Sequence, residues 1–497
     1  MSDLVLSIDA GTTGIAVLVV DGEGEVRARA YRELTQHYPR PGWVEHDPVE
    51  IWQLTTGLMA GAVRQALASP SDIAAIGLTN QRETTVLWDR RSGSPIGPAI
   101  VWQDRRTSAI CERLREQGLD AQVRDRTGLL LDPYFSGTKL VWSLENVEGL
   151  RSRAERGDIA FGTVDTWLIW NLTGGAIHST EPSNASRTLL FSLAEQTWDA
   201  FMQERLDIPA ELLPEIRPSS GRFGVTQALG PEIPISGVAG DQQAALFGQA
   251  CFEEGTVKNT YGTGSFVLMN TNGRIVRSRR LLSSAGWDLG SGANYVLEGS
   301  IFVTGGAIQW LRDGLGLIAA AKETEPLAAS VPDAAGTYLV PALAGLGAPH
   351  WDPYARGAFF GITSATTKAH LARAIVDAMA YQTRDVVEAM IADSGIAVHE
   401  MRVDGGASVM NLLCQVQADQ LGVPVRRPRN LDTTAMGAAY LAGLAEGVWS
   451  STEEIVSLWR SGSEFEPRRS RDEVDAAYVG WKKALARTRG WIDPSAS

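Results

Sequence analysis

The chain alternates short apolar runs of strand character with polar turns and with segments of helical spacing. Residues 4–21, LVLSIDAGTTGIAVLVVD, place two apolar runs on either side of a turn of glycines and threonines, which predicts a β-hairpin. Residues 49–68 have the spacing of an amphipathic helix, and residues 73–89 return to strand character. This alternation predicts an α/β fold.

The second half of the chain repeats this pattern. Residues 255–270, GTVKNTYGTGSFVLMN, again place a Gly-Thr-Gly turn between two strand-like runs, and residues 403–408, VDGGAS, end a further strand at glycines. Helical spacing follows over residues 368–390 and 408–421. The repeat predicts two halves of similar architecture, each a sheet with helices, and a nucleotide cleft between them.

Length supports the same division. The chain has 497 residues, whereas a single hydrophobic core stops growing near ~250–300 residues. We predict a first domain over residues 1–246 and a second over residues 247–497, joined near residues 237–249.

Composition excludes several classes of function. Acidic residues (58) outnumber Lys and Arg (45), and no basic cluster is interleaved with aromatic residues, which disfavours nucleic acid and anionic membranes as partners. The start of the chain has no basic signal region, and no apolar run approaches the ~20 residues of a membrane span. We therefore expect a soluble, cytoplasmic protein. Cys111, Cys251 and Cys414 lie far apart, which disfavours a disulfide framework and a zinc site.

One group of metal-binding residue types is adjacent in sequence. Glu45, His46 and Asp47 follow each other in VEHDP. Neighbouring residues in a Pro-bounded turn point apart, so we predict an exposed turn there and not a metal site.

The glycine turns have a chemical interpretation. Glycines let a backbone approach a ligand, and successive N–H groups with Thr hydroxyls form a concave donor site for phosphate oxygens. Asp9, at the end of the first strand, would hold a hydrated magnesium ion beside that phosphate. An ordinary hairpin explains any one such turn. Turns at three strand ends, spread over both halves, favour a triphosphate.

A candidate general base lies at the junction of the halves. Asp241 stands where GDQQAALFGQ begins a predicted helix, a place at which helix capping alone explains an Asp. The alternative is a base that accepts the proton of an alcohol attacking a γ-phosphoryl group. The position between two phosphate-binding halves favours the base, with Gln242 beside it to position a hydroxyl.

Polar and aromatic residues nearby suggest a polyol pocket. Arg82 and Glu83 follow an apolar strand and would form either a surface ion pair or a donor and an acceptor for hydroxyl groups. Trp102, Tyr134 and Phe266 would pack against the C–H faces of a polyol, although each also suits a hydrophobic core.

Segments spread over the chain resemble the glycerol kinases of the FGGY carbohydrate kinase family, from about residue 4 to about residue 491. These segments are NQRETTVLWD, IVWQDRRT, DPYFSGTK, GTVDTWLIWNLTGG, PISGVAGDQQAALFGQ, NTYGTGSF and GLGAPHWDPYARGAFFGIT. The resemblance implies two actin-like (ribonuclease H-like) ATPase domains with a nucleotide and substrate cleft between them. It also implies transfer of the γ-phosphate of ATP to the 3-hydroxyl of glycerol, and a homodimer or homotetramer.

The matching motifs imply a role for each aligned position. Asp241 would be the catalytic base and Asp9 would serve Mg²⁺. The implied glycerol-binding residues are Arg82, Glu83, Trp102, Tyr134, Asp241, Gln242 and Phe266. The implied nucleotide-binding residues are Gly11, Thr12, Thr13, Gly262, Thr263, Gly305, Gln309, Gly406 and Met410.

Departures from the family pattern lie on the nucleotide side. The opening D-Q-G-T-T-S-S-R carries Ala10 and Ala16 in place of its Gln and Arg, and Met410 replaces an Asn of G-G-A-V-A-N-N. A lost charge-assisted contact is worth ~1.5–3 kcal/mol unless another group substitutes for it. We expect altered nucleotide affinity or preference and an unchanged acceptor.

Two other functions stay open. One is another FGGY kinase acting on a ketopentose, gluconate or a polyol such as erythritol. Trp102 and the Arg82–Glu83 pair argue against it, because the resemblance implies more variation there. The other is an actin-like nucleotide switch, which would not need these three residues together.

Overall fold

The computed structural model describes residues 4–493, and its first half is built on one large sheet. The strands of this half are β1 (Leu4–Ala10), β2 (Gly14–Val20), β3 (Val26–Glu33), β4 (Glu45–His46), β5 (Ile73–Asn80), β6 (Val86–Asp89), β7 (Ala99–Ile100), β8 (Ile159–Gly162), β9 (Ser179–Thr180), β10 (Phe191–Ser192), β11 (Thr197–Trp198), β12 (Glu215–Ile216), β13 (Ser220–Thr226) and β14 (Ile233–Gly240). The helices are α1 (Pro48–Gln65), α2 (Ser108–Glu116), α3 (Asp120–Thr127), α4 (Ser136–Asn146), α5 (Leu150–Glu155), α6 (Val164–Leu172), α7 (Pro182–Ala185), α8 (Ala200–Leu206) and α9 (Asp241–Gly248).

The first sheet has the strand order β13-β14-β5-β1-β2-β3. Its three central strands, β14, β5 and β1, run parallel, with Ala10 opposite Asn80 and Asn80 opposite Gly240. The carboxyl ends of these strands therefore meet at one edge of the sheet, where ligands bind in open α/β sheets. The residues that follow the three strands lie together at that edge.

The second half contains a second large sheet. Its strands are β15 (Thr256–Tyr261), β16 (Ser265–Asn272), β17 (Leu282–Asp288), β18 (Ala293–Ile301), β19 (Tyr338–Val340), β20 (Ala358–Phe360), β21 (Glu400–Asp404), β22 (Val425–Pro428) and β23 (Ser461–Phe465). Its helices are α10 (Gly305–Asp313), α11 (Thr324–Ala329), α12 (Lys368–Ser394), α13 (Asn411–Leu421), α14 (Thr433–Ala445), α15 (Thr452–Leu458) and α16 (Arg471–Thr488). The strand order is β17-β18-β16-β15-β21-β22-β23, and β15 lies parallel to β21.

Helices α9 and α14 lie between the two sheets. A Cβ atom added to Gly77 would stand 2.1 Å from the carbonyl oxygen of Ala438, and one added to Gly237 would stand 2.3 Å from the backbone nitrogen of Ala442. Only glycine permits so close an approach of helix to sheet. One hydrophobic cluster accordingly includes residues of the first sheet, of α9 and of α14. The predicted boundary after residue 246 falls within α9.

Local structure corrects three details of the sequence interpretation. The predicted exposed turn at VEHDP is wrong, because His46 is fully buried in β4 and Asp47 caps α1, accepting from the backbone nitrogen of Val49 (2.8 Å). The helix predicted from residue 408 begins at Asn411, after a 3₁₀ turn. Helix α12 continues past residue 390 until Gly395, whose φ of 71° ends it. Between residues 4 and 493, no helix is long and apolar enough to cross a membrane.

Candidate active site

The turn after β1 is held in place by side chains from other segments. The Nε2 of Gln36 donates to the carbonyl oxygen of Thr12 (2.7 Å), and the indole Nε1 of Trp102 donates to the Thr12 hydroxyl (2.8 Å). Gly11 is partly exposed and Thr13 is exposed at the tip. The three predicted nucleotide-binding residues of this turn thus border the carboxyl edge of the first sheet.

His46 lies in the segment predicted to be an exposed turn, but its ring contacts two glutamines that hold the glycine turn after β1. Its Nε2 lies 2.9 Å from Oε1 of Gln36, and its Nδ1 lies 3.3 Å from Nε2 of Gln81, which also donates to the carbonyl oxygen of Gly11 (3.3 Å). Because Gln81 donates to Nδ1, Nε2 carries the proton and the ring is neutral. Burial agrees with this state, since it lowers the pKa of His46 to about 4.

The second glycine turn, between β15 and β16, is joined to the start of α10. The backbone nitrogen of Gly305 donates to the carbonyl oxygen of Gly262 (3.0 Å), and the backbone nitrogen of Thr304 donates to the carbonyl oxygen of Thr263 (2.8 Å). A Cβ on Gly305 would stand 2.5 Å from the Gly262 oxygen, so glycine is required there. Gln309 is exposed on α10.

The third turn lies beside the second because β15 and β21 pair in parallel, with Thr260 opposite Asp404. Gly405 has a φ of 83°, which favours glycine, and Gly406 is exposed. The side chain of Met410 packs into the core of the second half and is 6% exposed. Its contact with a nucleotide stays a prediction.

Asp241 is the first residue of α9, directly after β14, whereas the N-cap position belongs to Gly240. One carboxylate oxygen accepts from the backbone nitrogen of Gln242 (2.7 Å) and lies 3.0 Å from Nε of Arg82. The side chain is 27% exposed, so part of the carboxylate faces the cleft. Burial raises its pKa, Arg82 and Lys258 oppose the rise, and a raised pKa suits a general base.

Arg82 and Glu83 belong to a buried network of two guanidinium groups and two carboxylates. Arg187 donates to Glu83 (Nε–Oε1 2.6 Å) and to Glu298 (Nη2–Oε1 3.1 Å), and Arg82 also pairs with Glu298. Arg82 and Glu83 are 2% and 1% exposed, so the alternative of a surface ion pair is wrong. Arg82 further donates to the Tyr134 hydroxyl (3.0 Å). The network joins the two halves, because Glu298 lies on β18.

The three predicted aromatic residues form one wall. The ring of Trp102 lies edge-on to Tyr134 (centroids 5.5 Å apart) and to Phe266 (6.3 Å). The guanidinium of Arg82 lies 5.6 Å from the centre of the Phe266 ring. Aromatic faces and polar groups thus border the same part of the cleft, as a ligand with both C–H faces and hydroxyl groups requires.

Asp9 stands at the end of β1, within electrostatic reach of Asp241 and Asp432. Burial and these two carboxylates raise its pKa to about 7, and Arg29 opposes the rise. Arg29 itself is paired with Asp432 (Nε–Oδ2 3.0 Å) at the N-terminus of α14. A divalent cation or a phosphate-bound cation would relieve the repulsion among these carboxylates.

Sequence reasoning missed three charged residues of the site: Glu298, Arg187 and Lys258. All three are fully buried. For Glu298 and Lys258 the available signal was a single charge inside an apolar strand, in VLEGSI and GTVKNTY, because a charge in such a place must be paired; Arg187 lies outside the strands. The partners come from distant segments and could not be named.

Comparison with known proteins decides the family. The chain matches the N-terminal domain of the FGGY family of carbohydrate kinases over residues 4–248 and its C-terminal domain over residues 257–446. The chain belongs to the FGGY family of carbohydrate kinases. It is 56% identical to glycerol kinase 2 of Thermotoga maritima over 98% of this chain and 99% of that protein. It is also 56% identical to glycerol kinase of Trichlorobacter lovleyi, over 99% of each.

Solved structures agree with this FGGY membership. The crystal structure of glycerol kinase from Plasmodium falciparum with ADP superposes with a TM-score of 0.92 at 33% identity, covering 98% of each chain. The xylulose kinase of Rhodospirillum rubrum has a TM-score of 0.87 at 26% identity, covering 97% of this chain and 98% of that one. The predicted fold class, α/β with two actin-like domains, is confirmed.

Proposed function

We propose that this FGGY kinase transfers the γ-phosphate of ATP to the 3-hydroxyl of glycerol, giving sn-glycerol 3-phosphate, the first step of glycerol catabolism. The observation that carries the proposal is the convergence at one cleft of Asp241, the Arg82 network and the aromatic wall around Trp102. The relatives named glycerol kinase match nearly the whole chain, which supports the same acceptor.

The residues would divide the work of acceptor binding. Arg82 and Gln242 donate to glycerol hydroxyls, Glu83 accepts from one, and the rings of Trp102 and Phe266 cover the C–H face. Tyr134, which accepts from Arg82, completes the pocket.

Asp241 would act as the general base. Its carboxylate is fixed by Arg82 and by the start of α9, and its exposed part faces the cleft between the phosphate turns. It takes the proton of the 3-hydroxyl as the oxygen attacks the γ-phosphorus and the bond to the β-phosphate oxygen breaks, releasing ADP. The turns at Thr12 and Thr263 supply backbone donors to the phosphates.

Magnesium fits the site through Asp9. In residues 4–493 no cluster of three or more ligating side chains forms a metal site, but Mg²⁺ usually binds proteins through one or two carboxylates plus phosphate oxygens and water. Burial and the nearby Asp241 and Asp432 carboxylates raise the pKa of Asp9 to about 7, and a cation beside Asp9 would favour its ionised form. Bound with the triphosphate, the ion would neutralise charge on the transferred phosphoryl group.

The test is ADP release in the presence of ATP and Mg²⁺ with a panel of acceptors. Glycerol should exceed dihydroxyacetone, erythritol, xylulose, ribulose and gluconate by a wide margin in kcat/KM. A higher value for another acceptor would make the protein a different FGGY sugar or polyol kinase. Slow ATP hydrolysis that no acceptor stimulates would instead indicate an actin-like switch.

Two further proposals concern the assembled protein and its location. We propose a homodimer or homotetramer, which rests on the resemblance to the family, and a cytoplasmic location, which rests on the amino-acid sequence. Sedimentation velocity at micromolar protein would give the oligomeric state, and a single species with the mass of one chain, 53.5 kDa, would contradict it.

A further inference from the structure

A buried lysine connects the second phosphate turn to the acceptor site. Lys258 lies on β15, four residues before Gly262, and is fully buried. Its ammonium donates to Oε1 of Gln242 (2.6 Å) and to the hydroxyl of Thr260 (2.6 Å). The Gln242 amide in turn donates to a carboxylate oxygen of Asp241 (3.3 Å).

This chain of hydrogen bonds fixes the orientation of the Gln242 amide. Because an ammonium has only donors, Oε1 must face Lys258 and Nε2 must face Asp241. Gln242 is 6% exposed and lies on α9 of the first half, whereas Lys258 lies in the sheet of the second half. The lysine therefore connects the two sides of the cleft at the residue next to the proposed base.

The charges around Asp241 make the lysine electrostatically relevant. Glu83 and Glu298 face Asp241 and disfavour its charged form, whereas Arg82 and Lys258 favour it. Asp9, on β1, is coupled to it as well. Lys258 itself also faces Asp404 on β21. Without the lysine, the carboxylates of Glu83, Glu298 and Asp9 would act on Asp241 against Arg82 alone, and Arg82 is shared with Glu298.

We propose that Lys258 is a positioning residue that holds the Gln242 amide and keeps the Asp241 carboxylate ionised for the acceptor hydroxyl. The inference rests on the proposed function, since Asp241 is the base of that reaction. Lys258 touches no reacting atom and acts through Gln242 and through its charge. Its loss should change the pH dependence of catalysis, which a purely structural lysine would not.

The test compares K258Q, which removes the charge but keeps hydrogen-bonding groups, with K258R, which keeps the charge. The readouts are the pH dependence of kcat and the KM for glycerol. A matched control is K139Q, because Lys139 is also fully buried but donates to the backbone oxygens of Pro133 (2.7 Å) and Tyr134 (2.6 Å) and is not among the charges acting on Asp241.

The acid limb of kcat should move upward by about one pH unit in K258Q, as loss of a nearby opposite charge predicts. It should stay near the wild-type position in K258R and in K139Q, whatever their thermal stability. An unshifted limb in K258Q, or an equal shift in K139Q, would overturn the inference. If wild-type protein does not phosphorylate glycerol, the proposed function fails, whereas an active wild type with an unshifted K258Q refutes only the role of Lys258.

A second variant keeps the inference testable if K258Q does not fold. T260V removes one acceptor of the Lys258 ammonium without changing charge. The lysine then holds Gln242 less firmly, so the KM for glycerol should rise several-fold while the acid limb stays in place. An unchanged KM for glycerol in folded T260V would overturn the role of the lysine in holding Gln242.

Discussion

Replacing Glu298 by Gln tests the buried charge network that joins the two halves. Glu298 is fully buried and accepts from both Arg82 and Arg187. The amide of Gln preserves the shape of the side chain but removes its charge. Two guanidinium groups would then remain buried with only Glu83 and the partly exposed Asp241 to balance them.

The expected cost can be estimated in two ways. The two arginines lower the pKa of Glu298 to about 2, against a burial effect that acts in the opposite direction. Relative to the ordinary value of 4.5, this corresponds to about 3 kcal/mol of stabilisation at neutral pH. Because the folded-state pKa is depressed, the stabilisation is complete above pH 4.5 and is lost as the pH falls towards 2. Removing one partner of a buried ion pair costs ~3–5 kcal/mol, which agrees.

The assay is thermal unfolding of wild type and E298Q at pH 7.5, followed by circular dichroism. At ~2–4 °C per kcal/mol for domains of this size, Tm should fall by roughly 6–12 °C. The matched control is E145Q, because Glu145 and its partner Arg113 are about half exposed and such pairs contribute ~0–1 kcal/mol. If the Tm of E298Q lies within about 2 °C of the Tm of E145Q, the network does not stabilise the fold and the reasoning is refuted.

Three further predictions concern catalysis. D241N should lower kcat by ~10²–10⁴ with an unchanged circular dichroism spectrum, as loss of a general base predicts; unchanged turnover would remove Asp241 from the mechanism. R29A should raise the KM for ATP by about tenfold, since a charge-assisted contact is worth ~1.5–3 kcal/mol, whereas R27A, which loses a pair with Asp21, should not. Wild-type kcat should decrease as the pH is lowered, and the midpoint of this decrease should lie above the ordinary pKa of an Asp, because burial raises the pKa of Asp241 and only its ionised form accepts a proton. A midpoint at or below pH 3.8 would contradict this.

Much of the site was accessible from sequence because its residues follow strands. Gly11, Arg82 and Asp241 each come directly after, or within two residues of, a strand of the parallel trio β1, β5 and β14. Parallel strands end at one edge of a sheet, so residues far apart along the chain come together there. The apolar runs that predict the strands therefore also predict which polar residues meet.

The contacts of residues inside strands and loops could not be predicted in this way. Glu298 pairs with Arg187 across 111 positions of sequence, and no local pattern encodes such a partner. The two acidic residues and the proline next to His46 predict an exposed turn, whereas its ring lies buried between Gln36 and Gln81. Local composition indicates the polarity of a segment, but it does not indicate which other segments cover it in the fold.

The departures from the family pattern have a common structural outcome. Ala10 and Ala16 are buried in the hydrophobic clusters on the two faces of the first sheet, and Met410 is buried in the core of the second half. Each position has thus become part of a core and offers no side chain to the phosphates. In the proposed reaction, phosphate binding would therefore depend on the backbone donors of the glycine turns.

Arg29 is placed to supply the missing charge from the neighbouring strand. Leu18 lies opposite Arg29 on β3, and Ala16 lies opposite Tyr31, so the four side chains share one face of the sheet. On that face the Arg29 guanidinium lies 5.5 Å from the centre of the Tyr31 ring, pairs with Asp432 and acts on Asp9. A cation that is partly exposed and shared with a carboxylate is a weaker phosphate ligand than a free arginine. We therefore expect weaker nucleotide binding and unchanged acceptor binding, because Arg82 and Glu83 of the acceptor pocket are both buried and paired.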